Sequence, residues 1–284
     1  MIYHFGTSEF DFSSRTFVMG ILNLTPDSFS DGGKYATVQN AVDRALQMVD
    51  EGADIIDVGG ESTRPRGHAY GTGASPVSPE EEIRRVVPVV SALAARVGVP
   101  ISVDTWKSSV AEEAIAAGAV IVNDISGFHF DRDLAGVVAR GGASAILMHT
   151  PAPPWEMPSE VPYGNILNDV KAHFSDGITR AQEAGVSQIL LDPGLGFGKN
   201  TAQNQLLLNS LFDLAFRREY PIVIGASRKS FLRGRQSLPV SERLEGSIAA
   251  AVVAALRGAS IVRVHDVRQT VRALEVADAV LRSS

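Results

Sequence analysis

Short apolar runs recur along the chain, and most of them follow a glycine that ends a polar, helix-like segment. Five such segments are EGADIIDVGG (51–60), AGAVIVNDIS (117–126), GGASAILMHT (141–150), AGVSQILLDP (184–193) and RGASIVRVHD (257–266). The glycine suits the left-handed position just past a helix C-terminus, and the run rich in β-branched residues suits a strand buried on both faces. The pattern therefore predicts a repeated unit of helix, glycine turn and buried strand.

Three further apolar runs bring the number of predicted strands to eight: FVMGILNLT (17–25), PISVDT (100–105) and PIVIGAS (221–227). The segments between the strands mostly have helical periodicity and recognisable caps. In the segment 78–98, Ser78 is the expected N-cap, Pro79 the first helical residue and Gly98 the terminator. Eight alternating units predict a (β/α)8 barrel, a TIM barrel, that forms a single α/β domain over residues 1–284. The competing architecture is a doubly wound open sheet.

Every predicted strand ends in polar or ionisable residues. They are, in chain order, Asn23, Asp57 with Glu61, Asp104, Asn123 with Asp124, His149, Asp192, Ser227 to Lys229, and Arg263 with His265. In a (β/α)8 barrel the strand C-termini and the loops after them carry the active site. Any one of these residues could instead cap a helix or bond a neighbouring loop. Eight polar strand ends together indicate a functional rim, because buried polar groups cost free energy unless they are paired.

Basic residues follow the last two predicted strands, in SRKS (227–230) and RVHD (263–266). Phosphate sites of (β/α)8 barrels frequently use the loops after strands seven and eight, together with a helix N-terminus. These clusters therefore indicate an anion clamp. The alternative is that Arg263 and Lys229 pair with rim carboxylates such as Asp104 and Asp192, and both interpretations can hold together.

Composition excludes several classes of protein. The 284 residues contain 26 Lys and Arg against 32 Asp and Glu, a net charge of -6, which argues against nucleic-acid and membrane-surface partners. Cysteine is absent, so disulfides and thiolate metal sites are excluded. The longest helix-like apolar run (248–256) is about half the roughly 20 residues that span a bilayer, and the first residues do not resemble a secretory signal. We expect a cytoplasmic protein.

Eight short motifs resemble, in order, the signature blocks of the dihydropteroate synthases. They are GILNLTPDSFSDGG (20–33), DVGGESTRP (57–65), VDT (103–105), NDISG (123–127), LMH (147–149), LDPGLGFGK (191–199), SRKSF (227–231) and RVHDV (263–267). The resemblance implies a folate-biosynthesis transferase that condenses 6-hydroxymethyl-7,8-dihydropterin pyrophosphate with p-aminobenzoate. Its products are 7,8-dihydropteroate and pyrophosphate. The resemblance also implies inhibition by sulfonamides, Mg²⁺ as cofactor and a homodimer.

The same resemblance implies roles for individual residues. For pterin binding these are Asp104, Asn123, Met148, Asp192, Phe197, Lys229 and Arg263, and for p-aminobenzoate Phe29, Thr63, Pro65, Phe197 and Ser230. Pyrophosphate is assigned to Asn23, Thr63, Arg263 and His265, Mg²⁺ to Asn23, and catalysis to Asp31, Arg64, Lys229, Arg263 and His265. Physically, the Asp192 carboxylate can accept from two adjacent N–H groups of a guanidine-like edge. The Asn23 amide oxygen suits a hard cation.

A P-loop-like segment and His149 could suggest nucleotide or metal binding, and we favour neither. PGLGFGKN (193–200) resembles a P-loop, but Pro193 stands where that motif has glycine and Asn200 where it has Ser or Thr, so we reject a nucleotide site. For His149 we expect a structural hydrogen bond rather than metal binding, because no second histidine follows at helical spacing. A long glycine-rich loop (66–76) and a proline-rich lid (150–164) depart from the family pattern.

Two rival functions are a pterin-binding methyltransferase domain and a non-catalytic pterin-binding paralogue. The methyltransferase would not need the paired basic clusters. The paralogue would be expected to lack loop or clamp residues, whereas Asn23, Lys229, Arg263 and His265 are all present.

Overall fold

Eight parallel strands form a closed barrel in the computed structural model, which describes residues 1–24, 34–62, 76–157, 161–232 and 238–283. The barrel strands are β3 (Phe17–Asn23), β4 (Ile55–Gly59), β5 (Ile101–Asp104), β6 (Ile121–Asp124), β7 (Ser144–Met148), β8 (Ile189–Asp192), β9 (Val223–Ile224) and β10 (Ile261–Val264). Neighbours in the chain pair in parallel, and β10 pairs with both β9 and β3. A parallel bridge between Leu191 and Ile222 closes the ring. The predicted (β/α)8 barrel is confirmed, and the open sheet is excluded.

Helices separate the strands on the outside of the barrel. They are α1 (Lys34–Asp50), α2 (Pro79–Ala94), α3 (Ser108–Ala116), α4 (Leu134–Arg140), α5 (Ile166–Ala184), α6 (Thr201–Asn209), α7 (Leu211–Leu214), α8 (Leu244–Leu256) and α9 (Val267–Leu281). The predicted glycine turns are confirmed by positive φ angles at Gly52 (99°), Gly118 (118°), Gly142 (65°), Gly185 (89°) and Gly258 (97°). None of the helices in the described ranges is long and apolar enough to cross a membrane.

Helix α2 begins as predicted but ends early. Ser78 caps it by accepting a hydrogen bond from the Glu81 backbone N–H at 3.3 Å, and Pro79 is its first residue. The helix ends at Ala94 rather than at Gly98. The carbonyl of Leu93 accepts from the backbone N–H groups of the three residues after Ala94, so the helix end is satisfied without a glycine.

An aromatic hairpin closes the N-terminal end of the barrel. Strands β1 (Ile2–Phe5) and β2 (Ser8–Asp11) pair antiparallel. Phe5 and Phe10 are buried, with ring centroids 4.9 Å apart, and Phe10 lies 4.6 Å from Phe17 at the start of β3. These rings pack on the apolar residues that fill the lower barrel interior, among them Met19, Ile55, Ile121, Ile146, Leu190, Val223 and Ile261. The polar residues therefore lie at the opposite end.

Candidate active site

The two-residue period of a strand explains which side chains enter the site. On five strands, the residue two positions after an apolar interior residue is a predicted site residue or its charge partner. The pairs are Ile55 and Asp57, Ile121 and Asn123, Ile146 and Met148, Leu190 and Asp192, and Ile261 and Arg263. Each of these five strands thus points one functional side chain into the barrel interior, near its C-terminal end.

Arg263 binds two carboxylates at this end of the barrel. Its Nε donates to Asp57 Oδ2 at 2.6 Å, and its Nη2 donates to Asp104 Oδ2 at 2.7 Å. The side chains of Arg263, Asp57 and Asp104 are 18%, 0% and 7% exposed, so water has little access to these ion pairs. The pairing of Arg263 with a rim carboxylate, an alternative left open by the sequence, is therefore confirmed.

Burial and charge act against each other within this group. Burial raises the pKa of the Asp104 carboxyl to about 7, although Arg263 opposes the change. Burial lowers the pKa of the Arg263 guanidinium, but the charges of Asp57 and Asp104 outweigh it and hold that pKa above its ordinary value. Arg263 therefore stays cationic. Asp57 Oδ1 and Asp104 Oδ1 are buried and accept no hydrogen bond from the described residues, which leaves two acceptors for an N–H-rich ligand.

The neighbouring residues Asn123 and Asp124 have different roles: Asn123 faces the site, and Asp124 holds a loop. Asn123 Nδ2 donates to Asp57 Oδ2 at 3.3 Å inside the barrel. Asp124 is one residue on and faces the other way, where it accepts from the backbone N–H groups of Ser126 at 2.8 Å and Phe128 at 2.6 Å. Asp124 thus fastens the loop after β6, in which Phe128 has a positive φ of 67°. It is a structural carboxylate.

Asp192 and Lys229 meet at the loop after β8. Asp192 Oδ1 accepts from the Gly194 backbone N–H at 2.7 Å. The Lys229 ammonium donates to the Leu195 carbonyl and lies 4.6 Å from the centroid of the Phe197 ring. Burial raises the pKa of Asp192, and burial lowers the pKa of Lys229 to about 8, each opposed by the other's charge. Asp192 and Lys229 are therefore coupled by charge without a direct ion pair.

A small apolar cluster adjoins this layer, because Met148 belongs to both. Met148 and Phe197, both predicted pterin contacts, pack there with Ile125 and Met157. Trp106 packs against the same cluster. A flat aromatic ligand over the carboxylates would thus meet apolar surface on its side.

The two loops predicted to form an anion clamp are tied to each other. Ser227 Oγ lies 3.0 Å from His265 Nδ1. Arg228 donates from Nε and Nη2 to the two carboxylate oxygens of Asp266, at 3.0 and 2.5 Å. Arg228 has a positive φ of 60°, and its carbonyl accepts from Arg243 Nη1 at 2.9 Å. Arg228, the arginine of SRKS, therefore ties the two loops together, and the predicted ligand roles of Lys229, Arg263 and His265 stay predictions.

Of the other predicted site residues, the structure describes Asn23 and Ser230. Asn23 ends β3, and a Cβ atom built on Gly59 would lie 3.8 Å from Asn23 Oδ1 and 3.4 Å from the Asp104 Cβ. Ser230 begins a short 3₁₀ turn after β9. The remaining predicted site residues, Phe29, Asp31, Thr63, Arg64 and Pro65, lie outside the described residues. Their roles stay predictions.

His149 differs from its prediction. Its Nδ1 is buried and has no hydrogen-bond partner in the described part of the chain. The ring packs instead against His173 at 4.8 Å and Tyr163 at 6.0 Å between centroids. Burial lowers the pKa of His149 to about 2, so the ring is neutral. The backbone of His149 makes the structural bonds, because its N–H donates to the Asp192 carbonyl at 2.9 Å.

The sequence indicated only Glu61 of a buried charge network that lies beside the site. Lys107 Nζ donates to Glu82 at 2.6 Å, to the Val77 carbonyl at 2.7 Å and to Glu61 at 3.2 Å. Glu61 also accepts from the Val77 N–H at 2.7 Å and from Trp106 Nε1 at 3.2 Å. The network joins the two described ends of the segment between β4 and α2. Its members come from three separate segments, so no local pattern pairs them.

Comparison with known proteins agrees with this arrangement. Residues 19–265 match the family described as "Pterin binding enzyme". The chain is 45% identical over 280 residues to a dihydropteroate synthase of Clostridium beijerinckii, covering 98% of each protein. It is similar to the Yersinia pestis dihydropteroate synthase with a sulfonamide drug, at a TM-score of 0.90, 42% identity and 100% coverage of both chains. It is also similar to the Clostridium difficile dihydropteroate synthase in the presence of pteroic acid, at a TM-score of 0.87 and 43% identity, covering 96% of this chain and 99% of that chain. The chain therefore belongs to the pterin binding enzymes and, within them, to the dihydropteroate synthase family.

Proposed function

We propose that the chain joins 6-hydroxymethyl-7,8-dihydropterin pyrophosphate to p-aminobenzoate, releasing pyrophosphate and forming 7,8-dihydropteroate. The observation that carries the proposal is the buried layer of Asp57, Asp104, Asn123, Asp192 and Arg263 at the C-terminal end of the barrel. The similar enzymes with pteroic acid and a sulfonamide drug support both the pterin and the amine site. The reaction is a step of folate biosynthesis.

The pterin ring suits the donors and acceptors of this layer. Its guanidine-like edge carries adjacent N–H groups, and the Asp192 carboxylate can accept from two of them. The free oxygens of Asp57 and Asp104 and the amide of Asn123 extend the same polar surface. Lys229 supplies a cationic donor for a ring carbonyl, and Met148 and Phe197 line the apolar side of the slot.

Arg263 can serve the pyrophosphate while it is bound to its carboxylates. A guanidinium has five N–H donors in a fixed fork, and Asp57 and Asp104 engage only Nε and one Nη2 N–H. The remaining donors and the planar face are available to a ligand. With His265 on the same loop, Arg263 would stabilise the charge that grows on the leaving group.

Mg²⁺ fits this site as an ion held chiefly by the substrate. Among the described residues, no group of three or more His, Cys, Asp or Glu side chains could hold a metal ion by itself. Mg²⁺ usually keeps several waters and takes only one or two protein oxygens beside substrate phosphates. The Asn23 amide oxygen, next to the space at Gly59, is the protein ligand we propose. Bound Mg²⁺ would neutralise charge on the pyrophosphate.

The reaction then needs neither a protein nucleophile nor a general base. The C–O bond to pyrophosphate breaks, and the electron pair leaves with the oxygen. The resulting methylene cation is delocalised into the pterin ring above Asp192 and Arg263. The amine nitrogen of p-aminobenzoate forms the new C–N bond and releases its proton to solvent. Phe197 and Ser230 are the described residues that we assign to the amine site, and Asp31 and Arg64 complete the proposed catalytic set.

Assembly and location are part of the same proposal. We propose a homodimer, supported by exposed apolar side chains on α8 and α9, where Leu256, Val276 and Val280 are 48%, 66% and 66% exposed. Val276→Asp combined with Val280→Asp should then shift the mass measured by light scattering toward the monomer. We also propose a cytoplasmic location, which cell fractionation tests.

The activity is tested by measuring pyrophosphate release. We expect release that requires both substrates and Mg²⁺, and no methyl transfer to a cobalamin. Asp192→Asn should weaken binding of 6-hydroxymethylpterin, because it loses a charge-assisted pair worth on the order of 1.5–3 kcal/mol. Asp213→Asn on α7 is the matched control and should bind as the wild type does. Pterin binding without turnover in the wild type would instead identify the non-catalytic paralogue.

A further inference from the structure

The side chain of Lys199 is half-buried, and its ammonium lies in a cage of backbone carbonyls. Its Nζ donates to the carbonyls of Gly194 at 2.9 Å, Phe197 at 2.9 Å and His149 at 3.3 Å. A lysine ammonium has three N–H donors, so these three carbonyls match its full capacity. Within the described ranges no carboxylate forms an ion pair with it. Burial lowers the pKa of Lys199 well below its ordinary value.

The cage joins the loops that follow two neighbouring strands. His149 comes directly after β7, and Gly194 and Phe197 lie in the loop after β8. Gly194 has a φ of 65°, and a Cβ atom built on it would lie 2.0 Å from the His149 carbonyl oxygen. Only glycine therefore allows this carbonyl to approach. Asn204 reinforces the same loop by accepting from the Gly196 N–H at 2.7 Å.

The loop that Lys199 holds carries three contacts of the proposed pterin site. The Gly194 N–H donates to the Asp192 carboxylate at 2.7 Å. The Leu195 carbonyl accepts from the Lys229 ammonium, and the Phe197 ring lies under that ammonium at 4.6 Å. A displacement of this loop would thus move the groups around Asp192 and Lys229 together.

We propose that Lys199 is a positioning residue for pterin binding, which acts by holding the loop 193–199 in the conformation that orders Asp192, Lys229 and Phe197. This inference rests on the proposed function. Lys199 has a second effect through its charge, which favours the ionised form of the buried Asp192 carboxyl. The P-loop-like lysine of the sequence thus binds backbone carbonyls rather than phosphate.

Chemical rescue tests the proposal directly. Lys199→Ala should leave a space lined by three carbonyls that a free ammonium ion can enter. We expect the variant to bind 6-hydroxymethylpterin roughly tenfold more weakly or worse, comparable to the loss of a charge-assisted hydrogen bond. Ammonium chloride should restore much of the affinity, whereas tetramethylammonium chloride at the same concentration should not, because it has no N–H donors. Lys171→Ala, on α5, is the matched control and should respond to neither salt.

Lys199→Met separates charge from shape by filling the space with an apolar chain. Its pterin affinity should fall without rescue, and the acid limb of its affinity should move to higher pH because Asp192 loses a nearby positive charge. Wild-type affinity in Lys199→Ala, or equal effects of the two salts, would overturn the proposal. Failure of both variants to fold with and without ammonium would also overturn it, since Lys199 would then be a general structural anchor. If the wild type itself binds no pterin, the proposed function fails instead.

Discussion

Replacing Lys107 by methionine should destabilise the fold through one orphaned carboxylate. Lys107, Glu61 and Glu82 have side-chain exposures of 7%, 4% and 1%, so water cannot replace the lost ammonium. Glu61 keeps two donors, from Val77 and Trp106. Glu82 Oε1 already has no hydrogen-bond partner in the described structure, and Lys107 donates to Oε2. Without Lys107, only the neutral side chain of Thr105 would still favour the charged carboxylate. Methionine occupies most of the volume of the aliphatic part of lysine, so the loss of stability is chiefly electrostatic.

Proton uptake by the Glu82 carboxyl limits how much unfolding free energy the variant can lose. Buried in the variant without a cation, Glu82 would bind a proton when folded and lose it when unfolded. For a carboxyl with an ordinary pKa of 4.5, taking up that proton at about pH 7 costs about 3 kcal/mol. This agrees with the roughly 3–5 kcal/mol expected when one partner of a buried ion pair is removed. Burial already raises the pKa of Glu82 in the wild type, so part of this cost is present before the substitution, and we expect a loss of up to about 3 kcal/mol in the free energy of unfolding.

The pH dependence provides the sharper test. Burial already raises the pKa of Glu82 in the wild type, despite Lys107, and removal of that cation raises it further. A carboxyl with a raised folded pKa favours the folded state at low pH, and this contribution is lost as the pH rises through the unfolded and then the folded pKa. The deficit of Lys107→Met should therefore shrink by about 1.4 kcal/mol per pH unit on acidification from pH 7, until the pH reaches the raised pKa of Glu82 in the folded wild type.

The assay is urea unfolding of the wild type, Lys107→Met and the double variant Lys107→Met with Glu82→Gln, at neutral and mildly acidic pH. The neutral amide should recover much of the loss at neutral pH and remove its pH dependence. Lys171→Met is the control and should unfold as the wild type does. A deficit under about 0.5 kcal/mol at neutral pH, the size of an ordinary surface substitution, would refute the reasoning. So would a large deficit that does not change with pH.

Three further outcomes are expected. Arg263→Ala should lower turnover and pyrophosphate affinity, and it should lower stability by about 3–5 kcal/mol because Asp57 and Asp104 stay buried without a cation. Arg263→Lys should recover part of each loss, with affinity measured by calorimetry and stability by melting curves. Phe5→Ala should cost about 3–5 kcal/mol in denaturant unfolding, with pterin affinity unchanged because Phe5 lies at the other end of the barrel. Since burial lowers the pKa of Lys229 to about 8, kcat/KM for the pterin substrate should fall above that pH as the ammonium loses its proton, and Lys229→Arg should abolish that limb of the profile.

The sequence by itself determined the architecture and the edge that carries the site. The glycine turns, the buried runs and the Ser78 cap are local features, because each depends on conformations available to a few consecutive residues. A strand's two-residue period then directs alternate side chains inward. The family motifs assigned the rim residues to a pterin site. The aromatic hairpin at residues 2–11 escaped this reasoning, although its alternating pattern was a usable signal.

Only the tertiary structure decided which groups meet. The sequence left open whether Arg263 clamps an anion or pairs with a carboxylate, and barrel closure places it between Asp57 and Asp104, more than 150 positions away in the chain. Lys199 resembled a P-loop lysine, but its three acceptors are backbone carbonyls, which leave no trace in side-chain identity. The ammonium of Lys107 likewise acquires its partners from separate segments. Local periodicity sets where a side chain points, whereas its partner, and so its charge state, depends on which distant strands the closed barrel brings together.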